Sequence, residues 1–156
     1  MSWREMIAGN LPQSTWLEVH GCSIHAHRWY HGQGVTLVFI HGAIANNVWW
    51  QHIAAQVKQG QVLSIDLSGH GLSAWDEPYN LSKHASEVEA YIQQYAKGEV
   101  VIVGHSYGGA RCAGVGQPCA APSAEGIACV GRGRYTGRGS VSITSPTTHR
   151  TTRSRT

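Results

Sequence analysis

A serine at position 106 stands between glycines in the run Gly104-His105-Ser106-Tyr107-Gly108-Gly109, directly after the apolar stretch Val100-Val101-Ile102-Val103. This is a G-x-S-x-G pattern at the end of a buried strand. A strand that turns sharply into a helix leaves no room for side chains two residues either side of its apex, which is why glycines belong at 104 and 108. The strained turn lifts the serine hydroxyl clear of the backbone, where it can attack an electrophilic carbon. Ser106 is therefore the candidate nucleophile, and Gly104, His105, Gly108 and Gly109 form its elbow.

Attack on an acyl carbon passes through a tetrahedral oxyanion, which two backbone N–H groups pointed in advance at the developing charge can stabilise. One is expected from Tyr107, the residue after the nucleophile. The other is expected from Ala43 in His41-Gly42-Ala43, which ends the apolar run 35–40 (V-T-L-V-F-I). A third segment, Asp66-Leu67-Ser68-Gly69-His70-Gly71-Leu72-Ser73, follows another apolar run.

Taken together and in this order, H-G-A, D-L-S-G-H-G-L-S and G-H-S-Y-G-G resemble the α/β-hydrolase fold family over roughly residues 15–110. The resemblance implies hydrolysis of a carboxylic ester, or a related acyl or carbon–carbon cleavage, on a small-molecule acyl substrate without a cofactor or metal. It also implies that the Asp66 loop is structural and borders the active site. Members with an aspartate nucleophile, such as haloalkane dehalogenases and epoxide hydrolases, differ from this chain at Ser106.

The elements that must position these residues are legible as an alternation. Residues 15–30 alternate as a strand hairpin broken at Gly21, and 35–40 reads as a strand covered on both faces. A helix is expected from Asn47 to Gln59 with Asn46 or Asn47 as its cap, then a strand at 62–67. A second helix starts near a cap at Ser82 and ends at Gly98, and a fifth strand spans 100–103. Such an order predicts right-handed crossovers and a mostly parallel sheet of strands 1 to 5 with flanking helices, an α/β fold whose ligands bind at the carboxyl ends of the strands.

Serine needs a histidine base, and that imidazole needs a carboxylate. In this fold the acid and then the histidine come after the serine. Beyond Ser106 the only acid is Glu125 and the only histidine His149. The segment around them offers no strands able to carry such residues, with Val141 to Thr144 the nearest, so the pair is rejected as a triad. The triad acid and base are read as absent.

Composition divides the chain at the same place. The net charge of +3 hides a residue 1–110 part with five bases and eight acids, and a 111–156 part with seven arginines and Glu125 alone. After Ala110 there is no Leu, Phe, Met, Trp, Lys, Asp or Asn, so residues 111–156 are expected to be a disordered Arg/Gly/Ser/Thr tail. The 1–110 part is then a partial α/β-hydrolase domain truncated before the later strands. A frameshifted or prematurely ended reading frame accounts for so abrupt a switch.

The strand 100–103 is expected to be left as an exposed edge through which chains self-associate. The alternative function is a non-catalytic binding or regulatory protein whose arginines contact an acidic partner, or a non-functional truncated product; no specific nucleic-acid motif is present. Cys22, Cys112, Cys119 and Cys129 show no C-x-x-C pair, and His20, His25, His27 and His31 read as a solvated strand face rather than a metal site. Trp49 and Trp50 fit an acyl pocket or helix packing equally. With neither a signal-peptide pattern nor a membrane-length apolar run, a cytoplasmic, soluble protein without membrane partners is expected.

Overall fold

In the computed structural model, residues 2–109, 127–135 and 141–143 are described. The chain opens with helix α1 (Trp3–Ala8), which begins in a capping box. The Ser2 hydroxyl accepts from the Glu5 N–H at 3.3 Å and the Glu5 carboxylate accepts from the Ser2 N–H at 2.6 Å. The S-x-x-E pattern that encodes it stands at positions 2–5, ahead of the first strand expected from the sequence at Thr15.

Strands β1 (Gln13–Val19) and β2 (Cys22–His31) form the expected hairpin, with the chain reversing through His20 and Gly21, both at positive φ. β3 (Thr36–Ile40), β4 (Gly60–Ile65) and β5 (Glu99–His105) supply the parallel centre, and the sheet order of the first five strands is β1-β2-β4-β3-β5. Because β4 lies on one side of β3 and β5 on the other, right-handed crossovers put the two helical connections on opposite faces.

Each face has its own apolar cluster. Val38, Ile40, Leu63 and Ile65 point toward helix α3 (Leu81–Tyr95), where Val88, Tyr91 and Ile92 meet them. Phe39 and Val62, alternating with those residues, point the other way onto Trp50 and Ala54, with the Phe39 and Trp50 rings stacked at 4.8 Å. The Tyr91 hydroxyl reaches across to the Ile24 and Thr15 carbonyls at 2.7 and 3.1 Å, which fastens α3 to the β1–β2 hairpin.

The expected helix at 47–59 is shorter than its periodicity suggests: a 3-10 turn (Asn47–Trp50) runs into helix α2 (Gln51–Ala54). Asn46 caps it as expected, accepting from the Val48 N–H at 3.0 Å. The Ala55 carbonyl is then taken by the Asn10 side-chain amide at 3.1 Å, and Gly60 turns at positive φ with no space for a Cβ against the Val35 carbonyl. α3 is capped by Asn80 rather than Ser82: the Asn80 side chain accepts from the Lys83 N–H at 2.9 Å, so the helix starts one residue before Ser82.

Two segments correct the expectation that residues 111–156 form no strands. β6 (Ile127–Tyr135) pairs antiparallel with β5, and β7 (Val141–Ile143) pairs antiparallel with β6. The physical reason is that strand addition is satisfied by backbone groups. An open β5 edge presents a row of unpaired N–H and C=O that a glycine-rich segment can complete without large side chains. β5 is consequently an interior strand, and self-association through 100–103 would require β6 to be displaced. The remaining tail residues, with Glu125 and His149 among them, lie outside the described residues.

Candidate active site

The register of the parallel centre sets three motif-bearing strand ends in a row: Ile65 of β4 is level with Ile40 of β3, and Ile40 is level with Gly104 of β5. The Asp66 loop, His41-Gly42-Ala43 and the Ser106 elbow thus emerge side by side at the carboxyl edge of the sheet.

Ser106 is exposed and adopts φ 51°, one of only two non-glycine residues with positive φ among the described residues. For a residue with a Cβ this is a strained conformation, and it persists because the surroundings over-determine it. A Cβ on Gly104 would lie 2.4 Å from the Gly108 backbone, and one on Gly108 would lie 2.4 Å from the Ile40 carbonyl oxygen and 2.6 Å from that of His41. The elbow is therefore packed backbone against backbone onto the end of β3. Gly109 N–H closes the first helical turn on the Ser106 carbonyl at 2.9 Å, which fixes the peptide plane that carries the Tyr107 N–H.

The Ala43 amide is held in an analogous way. His41 is fully buried; its Nε2 accepts from the Leu67 N–H at 3.2 Å, so the ring proton sits on Nδ1 and is donated to the Gly42 carbonyl at 2.7 Å. The Gly42 carbonyl and the Ala43 N–H belong to one peptide plane, and His41 pins it. Burial pushes the His41 pKa below the usual imidazole range, and the hydrogen bond to the Gly42 carbonyl opposes that shift. On the next peptide, His70 Nε2 lies 2.7 Å from the Ala43 carbonyl. Ala43 itself is exposed, so these two imidazoles do the fixing that side-chain packing does not.

Asp66, 1% exposed, organises the loops beneath. Its Oδ1 accepts from the Asn47 N–H at 2.7 Å, and its Oδ2 faces His25 Nδ1 at 2.8 Å and accepts from the Leu72 N–H at 3.2 Å. Its carbonyl accepts from the Ser73 hydroxyl at 2.6 Å, while that hydroxyl's oxygen accepts from the His25 N–H at 2.8 Å. This supports the structural role expected for the Asp66 loop and corrects the reading of His25 as part of a solvated strand face: it is 1% exposed. The signal lay in the pairing of β2 with β4, which sets Ala26 level with Ile65 and so makes His25 and Asp66 cross-strand neighbours. Among the described residues no group of three or more His, Cys, Asp or Glu side chains is placed to hold a metal ion.

No side chain among the described residues hydrogen-bonds the Ser106 hydroxyl. His41 and His70 have both ring nitrogens engaged with the backbone, and His84 places one on the Ser68 carbonyl and the other on the Tyr107 hydroxyl. The two tryptophans divide: Trp50 is core, whereas Trp49 is 54% exposed and stacks on His105 at 5.7 Å, beside the candidate nucleophile Ser106.

A buried acid that sequence reasoning passed over is Glu87 on α3. Its Oε2 accepts from the Ser68 N–H at 3.0 Å, while Oε1 is buried without a partner, and burial pushes its pKa up, the Ser68 hydrogen bonds opposing. A carboxyl whose folded pKa exceeds its unfolded one destabilises the fold once ionised, so stability falls as pH rises from the unfolded value through the folded one. Glu87→Gln is expected to raise the melting temperature at pH 8, and the difference from the unsubstituted chain should shrink toward pH 4.5. A gain that stays constant across that range would contradict the ionised, buried carboxylate.

The chain belongs to the alpha/beta hydrolase family, whose profile matches residues 37–151, well over half of the sequence. Among curated relatives it is 31% identical over 87 residues to Lipase LipV of Mycobacterium tuberculosis, covering 56% of this chain and 33% of the lipase. It is 30% identical over 95 residues to a haloalkane dehalogenase of Agrobacterium fabrum, covering 60% and 31%. Among solved structures, the thioesterase domain from the curacin biosynthetic pathway superposes with a TM-score of 0.58 at 26% identity, over 64% of this chain and 39% of that one. The chain spans about a third of the length of these curated relatives. Among the described residues, no helix is long and apolar enough to cross a membrane.

Proposed function

We propose that this chain carries the nucleophile and oxyanion hole of a serine hydrolase acting on a carboxylic ester or a related acyl or carbon–carbon bond. The observation that carries this reading is the strained backbone of Ser106, held at φ 51° between glycines that admit no Cβ. Its hydroxyl attacks the carbonyl carbon, the carbonyl π electrons move to oxygen, and the N–H groups of Ala43 and Tyr107 receive the oxyanion. Collapse of that intermediate expels the leaving group and leaves an acyl-Ser106 ester for water to cleave.

His41, His70 and His84, whose ring nitrogens are engaged elsewhere, do not take the hydroxyl proton; it passes to water, and water in turn protonates the departing group. The resemblance to a lipase and a thioesterase supports acyl chemistry. A cytoplasmic setting with a reduced, buried Cys22 belongs to the same reading.

A fluorophosphonate probe tests it. Ser106 should be phosphonylated, slowly because no imidazole among the described residues bonds its hydroxyl, with the mass gain mapped to the peptide that carries it. Labelling that persists unchanged in Ser106→Ala would sink the assignment. With oxyanion donors alone, p-nitrophenyl acetate turnover is expected to stay well below about 1 s⁻¹, the low end of ordinary enzymes.

A further inference from the structure

Four hydrogen-bond contacts between the Ala43 loop and the Ser106 elbow form one continuous line. His70 Nε2 lies 2.7 Å from the Ala43 carbonyl, and His70 Nδ1 lies 3.1 Å from the Ser68 carbonyl. That same Ser68 carbonyl lies 3.3 Å from His84 Nε2, and His84 Nδ1 lies 2.9 Å from the Tyr107 hydroxyl. We propose that the Ser68 carbonyl is the shared anchor of a bridge from Ala43 to Tyr107, in which His70 and His84 are positioning residues that set the two oxyanion amides relative to each other. The inference rests on the serine-hydrolase reading for its purpose, though not for its geometry.

The proton bookkeeping is consistent along the line. His84 satisfies both contacts as a neutral ring, donating from Nε2 to Ser68 and accepting the Tyr107 hydroxyl proton at Nδ1. His70 faces two carbonyls, which can only accept, so it holds both of its contacts in the line when both ring nitrogens carry a proton. The anchor itself is gripped by α3 at both ends of its residue, since Glu87 takes the Ser68 N–H while His84 takes its carbonyl. His84 and Glu87 are three apart, hence on one helical face.

Ser68, His84 and Glu87 are each almost wholly buried. An imidazole and a carboxyl are costly to bury in place of apolar side chains, unless they are hydrogen-bonded. The rest of that helix face is Ala85, Val88, Tyr91 and Ile92. The polar pair falls only where α3 passes under the site. At the other end, the Ala43 loop has little packing of its own, with Ile44 entirely exposed.

The test is residue-resolved native-state hydrogen exchange on the purified chain, read as a ratio to the β4 amides so that global unfolding cancels. Tyr107→Phe removes one hydroxyl and keeps the ring and the backbone amide. It should accelerate exchange at residues 42–45, on a different strand end, by about fivefold, the equilibrium equivalent of the roughly 1 kcal/mol net worth of one hydrogen bond. His84→Phe should do the same from the middle of the line. Tyr91→Phe, which deletes a buried hydroxyl far from the bridge, should accelerate the β1–β2 hairpin and leave 42–45 unchanged. Exchange that rises only within 104–109 in Tyr107→Phe, or rises at 42–45 equally in Tyr91→Phe, overturns the bridge. Failure of Ser106 to take a fluorophosphonate would count against the catalytic reading instead, and would leave these exchange ratios as they are.

Discussion

Gly108→Ala is expected to lower the stability of this chain by about 3 kcal/mol, the upper part of the range for overpacked sites. The added Cβ would lie 2.4 Å from the Ile40 carbonyl oxygen and 2.6 Å from that of His41. Neither atom can retreat easily, because β3 is paired with β4 on one side and β5 on the other. A loss of that size is a large share of the roughly 5–15 kcal/mol that holds an ordinary domain together. Urea titration of the variant should show a markedly lower midpoint. Gly21→Ala is the control for backbone strain: Gly21, unlike Gly108, has positive φ, at 79°, but nothing lies within 4 Å of its would-be Cβ, so only backbone strain of about 1 kcal/mol is added. A Gly108→Ala midpoint no lower than that of Gly21→Ala would show that the elbow is not packed as described.

Removing Asp66 should be at least as damaging. Asp66→Ala strands the Asn47 and Leu72 N–H groups and the His25 ring, all of which now point at a carboxylate that is 1% exposed. Leaving a buried donor without its acceptor typically costs about 1–3 kcal/mol, and three are stranded here, because each keeps its desolvation penalty without its compensation. Asp66→Asn keeps one acceptor and most of the volume, and should recover part of the loss. The damage should also be regional, since Asn47 starts the 3-10 turn after β3 while Leu72 lies in the loop after β4. Thermal melting of the two variants measures the first effect. If Asp66→Ala melts within a degree or two of the unsubstituted chain, the carboxylate is not the fastener its contacts describe.

These two residues also mark how far the sequence could be read. The elbow was legible because its demands are local: glycines at fixed offsets from Ser106, directly after a β-branched run, leave few other conformations. The neighbourhood of the H-G-A segment followed from the order of strands. What remained hidden depended on register. Nothing in the local pattern around His25 distinguishes it from His27 or His31; only the pairing of β2 with β4 brings it beside Asp66. His84 and Glu87 carry no mark in the sequence, and their burial comes with the Ser68 backbone that both contact. The truncation of the expected 47–59 helix likewise turned on Asn10, a residue far away in sequence that takes the Ala55 carbonyl. β6 is hidden for a different reason: its sequence lacks the long run of large apolar side chains that marks a strand, and the open backbone edge of β5 is sufficient to pair it.

The positive φ at Ser106 has a bearing on how such a scaffold changes its chemistry. Left-handed backbone is several-fold more accessible to aspartate and asparagine than to most residues with a Cβ, and is hostile to β-branched ones. The hinge that presents a serine here is thus already suited to present a carboxylate, whereas threonine, chemically the nearer relative of serine, is the substitution it resists. The residue at this position can be exchanged by altering one side chain while the sheet and the glycines stay as they are. The same backbone turn could therefore carry a serine or a carboxylate, in a chain that is similar to both a lipase and a haloalkane dehalogenase.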